Sequence, residues 1–255
     1  MSLLSTLEAY YDAAPRPMAS IEEIGPFTLF LRTREDGWPF YARPSLGYDG
    51  PVAARQVEAV RQRQRELGVP ESLEWVHETT PTLTSAAREA GLRVTECPLL
   101  ALPAGAGTII PPLPDSCSVR MLDSDSAGIA AAAAAVNAGF ANTDELEEEP
   151  AGQLRELVHS GLLAMAGAYD GQGYVGGGSH SPRGDTTELT GIAVVPRARR
   201  QGVGAAITAA LVAHARARGV ATVFLSAQNE VVARVYERIG FQRVATACIA
   251  TPPKR

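Results

Sequence analysis

The pattern of apolar and polar positions predicts the same order of elements in both halves of the chain. In the first half, a helix is predicted over residues 52–67, a short apolar run over 73–77 and a helix over 82–90, followed by Gly91-Leu92. In the second half, the helix, the apolar run and the second helix cover residues 205–218, 221–226 and 231–239, followed by Gly240-Phe241. Aligning Gly91 with Gly240 also pairs Trp75 with Phe224. This spacing favours a degenerate internal repeat, although two unrelated α/β halves would also share such an order by chance.

Further elements precede the second set. They are a helix from an N-cap at Ser124 or Asp125 to Asn137, a loop over residues 139–149, a helix over 151–159, strands over 162–169 and 174–180 around an Asp170-Gly171 turn, and a strand over 188–195. The three glycines at 176–178 favour a bulge or a close approach of the substrate in the second of these strands, and simple flexibility explains them equally well. The whole pattern predicts an α/β fold with a mixed sheet and helices on both faces.

The sequence LPAGAGTIIPPLP at residues 102–114 is too rich in proline and glycine for a helix or a central strand. We therefore expect an N-terminal domain over residues 1–102, a linker over 103–114 and a C-terminal domain over 115–255. Each domain is long enough to bury a small core.

Composition and charge exclude several classes of protein. A formal net charge of −5 argues against a nucleic-acid binder with a broad basic surface. The three cysteines and four histidines have no metal-ligand spacing, so neither a metal site nor a disulfide framework is expected. The start of the chain lacks the features of a signal peptide, and no apolar run is long enough to span a membrane. These features predict a cytoplasmic protein without a membrane partner, and the preference for Arg over Lys suggests a bacterial source.

The turn at residues 196–204 carries the clearest chemistry. A strand ending in Val-Val-Pro leads through Arg197, Arg199 and Arg200 into Gly202-Val203-Gly204 and then a helix. Glycines allow the backbone close to a ligand, a helix start offers unpaired N–H groups, and arginines add charged donors. This combination predicts a pyrophosphate cradle. It lacks the Gly-Lys-Ser/Thr of a Walker loop and the third glycine of a dinucleotide fingerprint.

These residues resemble the GNAT superfamily of acyl-CoA-dependent N-acyltransferases. Residues 199–204 fit that family's R/Q-x-x-G-x-G/A motif, and residues 229–241, which run from Asn229 through Tyr236 to Gly240-Phe241, are similar to its N-x(6)-Y-x(3)-G-F segment. The resemblance covers about residues 115–250. It implies a GNAT-like fold with acetyl-CoA as co-substrate and no metal.

The resemblance also implies a set of cofactor-binding residues. They are Ile192, Ala193 and Val194, which would pair with pantetheine; Arg199, Arg200, Gln201, Gly202, Val203, Gly204 and Ala205, which would hold the pyrophosphate; and Asn229, which would touch the pantetheine arm. The first half departs from the motif, since residues 50–53 read Gly-Pro-Val-Ala and Thr80 and Ala87 take the positions of Asn229 and Tyr236. A tandem arrangement follows, with a degenerate N-terminal GNAT-like lobe that has lost its cofactor site.

Charge is distributed unevenly along the chain. Residues 115–170 contain two basic and ten acidic residues, and residues 183–255 contain eleven basic and four acidic residues. The basic sector suits the phosphates of coenzyme A. The acidic loop at residues 144–149 would favour a cationic amine, although a run of like charges is also typical of a solvated segment.

Transfer to an amine requires a group that accepts the ammonium proton, because an alkyl ammonium has a pKa of about 10.4. Glu188, fourteen residues before Gly202, is the first candidate and His180 the second. By resemblance Tyr236 would protonate the departing thiolate. A strand-edge carboxylate, a surface histidine and a core tyrosine are the alternative interpretations.

The sequence thus predicts an N-acetyltransferase that acts on a primary amine of a small molecule. An acyl-CoA-binding sensor without transfer chemistry is the runner-up, and a pure interaction module is the third possibility. A monomer and a homodimer both stay open.

Overall fold

The computed structural model describes residues 2–34, 37 and 39–253; Lys254, the single lysine of the sequence, lies outside these residues. The described helices are α1 (Leu3–Ala13), α2 (Ala54–Glu66), α3 (Thr82–Glu89), α4 (Gly128–Ala141), α5 (Gly152–His159), α6 (Val203–Ala217) and α7 (Glu230–Ile239). The described strands are β1 (Ala19–Ile24), β2 (Phe27–Arg32), β3 (Ala42–Pro44), β4 (Leu73–Val76), β5 (Arg93–Leu102), β6 (Ser118–Leu122), β7 (Ala164–Tyr169), β8 (Tyr174–Arg183), β9 (Thr186–Val194), β10 (Thr222–Ser226) and β11 (Gln242–Thr251). The predicted α/β class with a mixed sheet is confirmed.

The chain divides into two compact units. The first unit is Met1–Leu99, Ser226–Glu230 and Arg243–Arg255, and the second unit is Leu100–Leu225 and Val231–Gln242. Strand β11, near the end of the chain, thus belongs mainly to the first unit and pairs antiparallel with β4, where Cys248 lies opposite Trp75. The division of the sequence into domains at residues 102–115 stays a prediction.

One face of the strands in the first unit packs on α2 and α3. Alternate strand residues, including Phe27, Leu29 and Trp75, are buried together with Val57 of α2 and Leu83 of α3. A side chain on the next strand position points to the other face because strands alternate. There the buried Arg43 donates to Glu8 of α1 at 2.6 Å, and its guanidinium lies 4.8 Å from the centre of the Tyr11 ring.

The second unit contains the strand order β6-β7-β8-β9-β10, in which neighbours are antiparallel except for the parallel pair β9 and β10. Helices α4 and α6 pack on opposite faces of β8. A Cβ on Gly177 would lie 3.2 Å from Val136 of α4, and one on Gly178 would lie 3.2 Å from Ile207 of α6. The predicted bulge occurs, since a register shift interrupts the β8–β9 ladder between Gly177 and Ser179. The side chains that approach these glycines belong to neighbouring helices, and the approach of a substrate stays a prediction.

Most of the sequence-predicted elements occur with ends within three residues. The helix expected to stop at Asn137 continues to Ala141, and its start is also different: Ala127 is the N-cap residue and the Ser126 hydroxyl accepts from the Gly128 N–H at 3.1 Å. The prediction of an N-cap at Ser124 or Asp125 was therefore wrong. Helix α1 and strands β1, β2, β3 and β6 had no sequence prediction.

Candidate active site

The site is built where β9 passes into α6. Gly202 is the N-cap residue of this 15-residue helix, and its φ of +82° is a left-handed conformation that favours glycine. Arg200, two residues earlier, also has a left-handed backbone, with φ at +63°. Together these two residues turn the chain so that the helix begins at Val203. The N–H groups of the first turn have no partner within the helix and carry its positive dipole end.

A cavity of about 720 Å³ lies in front of this helix start, entirely within the second unit. The turn and helix α6 contribute Arg199, Arg200 and residues 202–205, and β9 contributes Val194. Helix α7 contributes Val235, Arg238 and Ile239. The remaining wall includes Ile109, Ile110 and Pro111, which we call the strap. A cavity of this size suits a small molecule with phosphates directed at a helix N-terminus.

The glycine at position 202 also leaves room for the strap. A Cβ on Gly202 would lie 2.9 Å from the Pro111 side chain and 3.4 Å from the Pro112 carbonyl oxygen. The strap is held beside α7 because the Ile109 N–H donates to the Ile239 carbonyl at 2.8 Å. A side chain at position 202 would therefore displace the strap or the cradle.

The arginines of the turn have different roles. The Arg199 guanidinium donates to the Val194 carbonyl at 3.0 Å, to the Gly139 carbonyl at 2.7 Å and to the Asn142 side chain at 2.6 Å. It therefore braces the end of β9 against the end of α4. Arg197 is paired with Asp170. Within the described ranges, Arg200 and Arg238 have neither an ion pair nor a hydrogen bond from the side chain, so these two cations of the cavity can bind an anion.

Strand β9 continues beyond its parallel partner. The ladder between β9 and β10 runs from Thr186 opposite Thr222 to Glu188 opposite Phe224. The later residues of β9 pair on their other side with β8, where Ala193 lies opposite Gly177. The described residues therefore contain no β9–β10 pair beyond Glu188, and the Val194 carbonyl accepts from the Arg199 guanidinium. The pairing of pantetheine with residues 192–194 that the resemblance implied stays a prediction.

The cavity brings together most of the predicted cofactor residues. Of these, Val194, Arg199, Arg200, Gly202, Val203, Gly204 and Ala205 line it. Ile192, Ala193 and Gln201 are not among its described lining residues, and the Gln201 side chain donates to the Arg197 carbonyl at 3.0 Å. Asn229 directly precedes α7 and belongs to the first unit. Arg238 and the strap, which sequence reasoning did not assign to the cofactor site, also line the cavity.

Tyr236 lies on α7, one residue after the cavity-lining Val235. Its ring meets Phe241 edge-on, with the ring centres 6.0 Å apart. Burial raises the pKa of Tyr236 to about 12. The phenol therefore stays protonated at neutral pH and can donate a proton or a hydrogen bond.

Glu188 and His180 lie on opposite faces of their strands. The partly buried Glu188 faces the same side as Ser181, its partner in the β8–β9 ladder. His180 is completely buried on the α6 side, with 2.9 Å from Nδ1 to the Thr187 hydroxyl and 2.8 Å from Nε2 to Nδ1 of His214. Burial, and next to it the charge of His214, lowers the pKa of His180 to about 4. The alternative of a surface histidine was therefore wrong, and a buried His180 is a poor base for a solvent-borne substrate.

One carboxylate of the acidic loop at residues 144–149 makes a hydrogen bond within the fold. The Asp144 carboxylate accepts from the Arg197 N–H at 3.0 Å, next to the cradle. Glu147, Glu148 and Glu149 are exposed. The segment between α4 and α5 therefore has one carboxylate bonded to the turn and at least three that face solvent.

The corresponding turn in the first unit is closed by its own side chains. The Gln56 side-chain oxygen accepts from the Ala53 N–H at 2.8 Å, and the Thr82 hydroxyl accepts from the Val52 N–H at 2.9 Å. These contacts satisfy N–H groups at the start of α2 that a pyrophosphate would need. The contrast with the open start of α6 agrees with a cofactor site in the second unit.

No group of metal ligands occurs among the described residues, and all three cysteines are free thiols. None of the helices in the described ranges is both long and apolar enough to cross a membrane.

Comparison with known proteins supports the fold and relates part of the chain to one family. Residues 134–241 match the Acetyltransferase (GNAT) family. The chain is 40% identical over 82 residues to a mycothiol acetyltransferase of Cellulomonas flavigena, an alignment of 30% of this chain and 24% of that protein. The alignment thus spans about a quarter of that relative's length.

Two solved structures are similar over most of the chain. A GCN5-related N-acetyltransferase from Kribbella flavida has a TM-score of 0.78 and 21% identity, with coverage of 100% of this chain and 97% of that one. A tandem GNAT protein from the clavulanic acid biosynthesis pathway has a TM-score of 0.57 and 18% identity over 90% of this chain and 79% of that one. At these identities the likenesses support the fold.

The fold is that of the GCN5-related and tandem GNAT structures. Residues 134–241, less than half of the chain, are similar to the Acetyltransferase (GNAT) family, the family to which the motifs also point.

Proposed function

We propose that the chain transfers an acetyl group from acetyl-CoA to a primary amine of a small molecule. The observation that carries this proposal is the cavity in front of α6, where open helix N–H groups, Gly202 and the unpaired Arg200 meet. Phosphates are the common chemistry that such a helix start and a free guanidinium bind together. The similarity to the GNAT family favours a pyrophosphate that carries an acylated pantetheine arm.

The residues present fit coenzyme A. The N–H groups at the start of α6 and the Arg200 guanidinium would hold the pyrophosphate, and the backbone of Ile192, Ala193 and Val194 would pair with the pantetheine amides. Gln201 completes the proposed cofactor-binding set of the second unit. The co-substrate supplies the activated acetyl thioester. Arg199 acts by bracing Val194 against α4, which keeps the strand end in position.

Glu188 is the proposed general base. Its carboxylate lies on β9 at the last residue pair before the strand leaves β10. There it can accept the proton of an incoming ammonium, directly or through water, so that the amine becomes nucleophilic. Tyr236 is the proposed donor to the departing thiolate sulfur, since its hydroxyl is protonated at neutral pH. A strand N–H near Val194 would donate to the developing oxyanion.

A cationic amine is the proposed acceptor because exposed carboxylates follow α4. Glu147, Glu148 and Glu149 give this segment a negative potential that attracts ammonium groups and not carboxylates or phosphates. The chain would act in the cytoplasm of a bacterium, the compartment that supplies acetyl-CoA, and needs no metal for this chemistry.

Release of free thiol from acetyl-CoA across a panel of small primary amines tests this function. We expect thiol release to depend on the amine. Glu188→Gln should slow thiol release by about 100-fold and should remove the fall in rate on the acidic side of the pH–rate profile. Glu237→Gln changes an exposed carboxylate of α7 and is the matched control. Binding of acetyl-CoA without thiol release from any amine would indicate an acyl-CoA sensor and contradict transfer. An unaltered profile in Glu188→Gln would remove the assigned base.

A further inference from the structure

One face of strands β4 and β11 in the first unit carries a carboxyl group without a hydrogen-bond partner. Leu73 and Trp75 of β4 are buried on the side of α2 and α3, so Glu74 between them points to the opposite face. Ile249 of β11 lies directly opposite Glu74 in the antiparallel ladder. In the part of the chain that the structure describes, no hydrogen bond or ion pair reaches the Glu74 carboxyl.

A buried cation beside Glu74 is already neutralised by another carboxylate. Arg43 follows Ala42, the β3 residue that pairs with Leu73, so Arg43 and Glu74 share a face of neighbouring strands. The Arg43 guanidinium donates to Glu8 of α1 at 2.6 Å, and Glu8 also accepts from the Thr79 hydroxyl at 2.6 Å. Because Glu8 balances the charge of Arg43, an ionised Glu74 is a surplus negative charge on this face.

The Glu74 carboxyl is closely surrounded by protein and still accessible. Glu74 is partly exposed, and neither of its oxygens is sealed from solvent. Burial raises the pKa of Glu74 to about 7, although the charge of Arg43 acts in the opposite direction. On β5, burial and then the charge of Glu74 raise the pKa of the Cys97 thiol. The ionised carboxylate therefore lacks both full hydration and a protein donor, and a cationic ligand with donors would stabilise it.

The surroundings of this carboxyl suit an alkyl ammonium. Ile249 is 36% exposed, so an apolar side chain borders the charged group. The described residues contain no group of three metal ligands, and one carboxylate lacks the further ligands that a divalent metal needs. A primary ammonium supplies three N–H donors and one positive charge, and its alkyl chain can contact an apolar neighbour.

We propose that Glu74 and Ile249 form a binding site for a primary alkyl ammonium in the first unit. The Glu74 carboxylate accepts the N–H groups, and Ile249 contacts the alkyl chain. The site does not depend on coenzyme A and goes beyond the proposed transfer reaction. It gives the first unit, in which side chains close the start of α2, a ligand-binding role of its own.

Nuclear magnetic resonance of the full chain, with ¹³C in the glutamate carboxyl groups, tests the role of Glu74. The probe is n-butylammonium, n-butanol is its neutral counterpart, and the Glu74 signal is the one that Glu74→Gln removes. We expect butylammonium to lower the pH midpoint at which this signal titrates, because the cation favours the carboxylate. Butanol should leave the midpoint unchanged.

The affinity for butylammonium should also depend on pH. We expect it to rise about tenfold between pH 6 and 8 as Glu74 ionises, since the alkyl ammonium stays charged over this range. The Ile249 methyl signals report binding in the wild-type chain and in Glu74→Gln, which should lose this rise. Glu89→Gln changes an exposed carboxylate of α3 in the same unit and should preserve it.

The stability of Glu74→Gln separates loss of the site from loss of the fold. The variant keeps the shape of the side chain and removes a charge that burial disfavours. Urea unfolding at pH 8 should therefore show no loss of stability. A Glu74 midpoint that butylammonium does not move, an equal shift with butanol, or unchanged butylammonium binding in Glu74→Gln would overturn the site.

The contact with Ile249 is tested by the length of the alkyl chain. Ile249→Ala should weaken binding of butylammonium by about threefold, measured from the Glu74 signal, and should leave binding of methylammonium unchanged, because it removes apolar contact area. Ile21→Ala alters a similarly exposed isoleucine of β1 and should affect neither cation. An equal loss for both cations in Ile249→Ala would contradict contact with the alkyl chain. These titrations contain no coenzyme A, so their failure leaves the proposed transfer reaction standing.

Discussion

At the scale of single residues, the turn before α6 depends on a glycine that shapes the backbone and on an arginine that holds its neighbours in place. Gly202 has a left-handed backbone and no space for a side chain, so both its conformation and its surroundings require glycine. Arg199 has a long side chain that reaches the carbonyl oxygens of Val194 and Gly139. The family motif thus combines a residue that shapes the turn with a residue that braces its neighbours.

Gly202→Ala tests this requirement against a matched glycine. Alanine at φ +82° costs about 1 kcal/mol of stability, and its Cβ would also push against Pro111 at 2.9 Å. Gly184 has φ at +59° with nothing within 4 Å of a Cβ, so Gly184→Ala carries the strain alone. We expect urea unfolding to show a loss of stability in both variants, at least as large in Gly202→Ala as in Gly184→Ala. Affinity for coenzyme A should fall by about tenfold or more in Gly202→Ala only; equal affinities would contradict the cradle.

Tyr236→Phe tests the donor to the leaving group. The variant keeps the ring contact with Phe241 and removes only the hydroxyl, so the packing of α7 should be preserved. We expect kcat to fall by about 100-fold with little change in the dissociation constant for coenzyme A. Tyr169→Phe removes the hydroxyl of an exposed tyrosine as a control. Wild-type turnover in Tyr236→Phe would exclude this tyrosine from the mechanism.

At the scale of elements, α6 connects the site to a buried histidine pair. The helix begins at the cradle and carries His214 three turns later, where it meets His180 of β8. Burial lowers the pKa values of both histidines, and the nearby Arg218 lowers them further. The packing of α6 on β8 therefore requires neutral imidazoles.

This requirement predicts a loss of stability in acid. The pKa of His180 is about 4 in the folded chain and about 6.5 when unfolded, so the unfolded state binds more protons between these values. Stability is fully present above about pH 6.5 and falls as the pH drops towards 4. Between pH 7.5 and 5 the loss from His180 is about 2 kcal/mol.

Urea unfolding at pH 7.5 and 5 measures this effect. His180→Gln should reduce the difference in unfolding free energy between the two pH values, whatever its effect on stability at pH 7.5. His159→Gln replaces an exposed histidine at the end of α5 and should leave the difference unchanged. The same pH dependence in His180→Gln and in the wild-type chain would contradict a depressed pKa.

At the scale of the whole molecule, local patterns predicted most of the second unit. The strand before Pro196, the glycine turn and the two helices that follow have strong local signals, so these elements were predicted from their residues. The glycine run at 176–178 predicted a bulge but not which elements approach it, because that depends on α4 and α6.

Features that depend on distant partners were not predictable from the sequence. The pairing of β11 with β4 joins segments more than 160 residues apart, and nothing in either strand specifies its neighbour. The strap was read as a linker because prolines exclude regular structure without indicating where the segment lies. Likewise, Arg199 and Arg238 carry the same charge, and only their surroundings distinguish a brace from an available cation.

The central claim is that the α6 cavity holds coenzyme A for transfer of an acetyl group to an amine. The most direct measurement is mass spectrometry of the amine panel after incubation with acetyl-CoA that carries an isotopic label in the acetyl group, with Gly202→Ala as the control. We predict a labelled amide formed in equal amount to free coenzyme A, and little of either with Gly202→Ala. Labelled amide formed equally well by Gly202→Ala, or coenzyme A bound by the wild-type chain with no labelled amide from any amine, would contradict the claim.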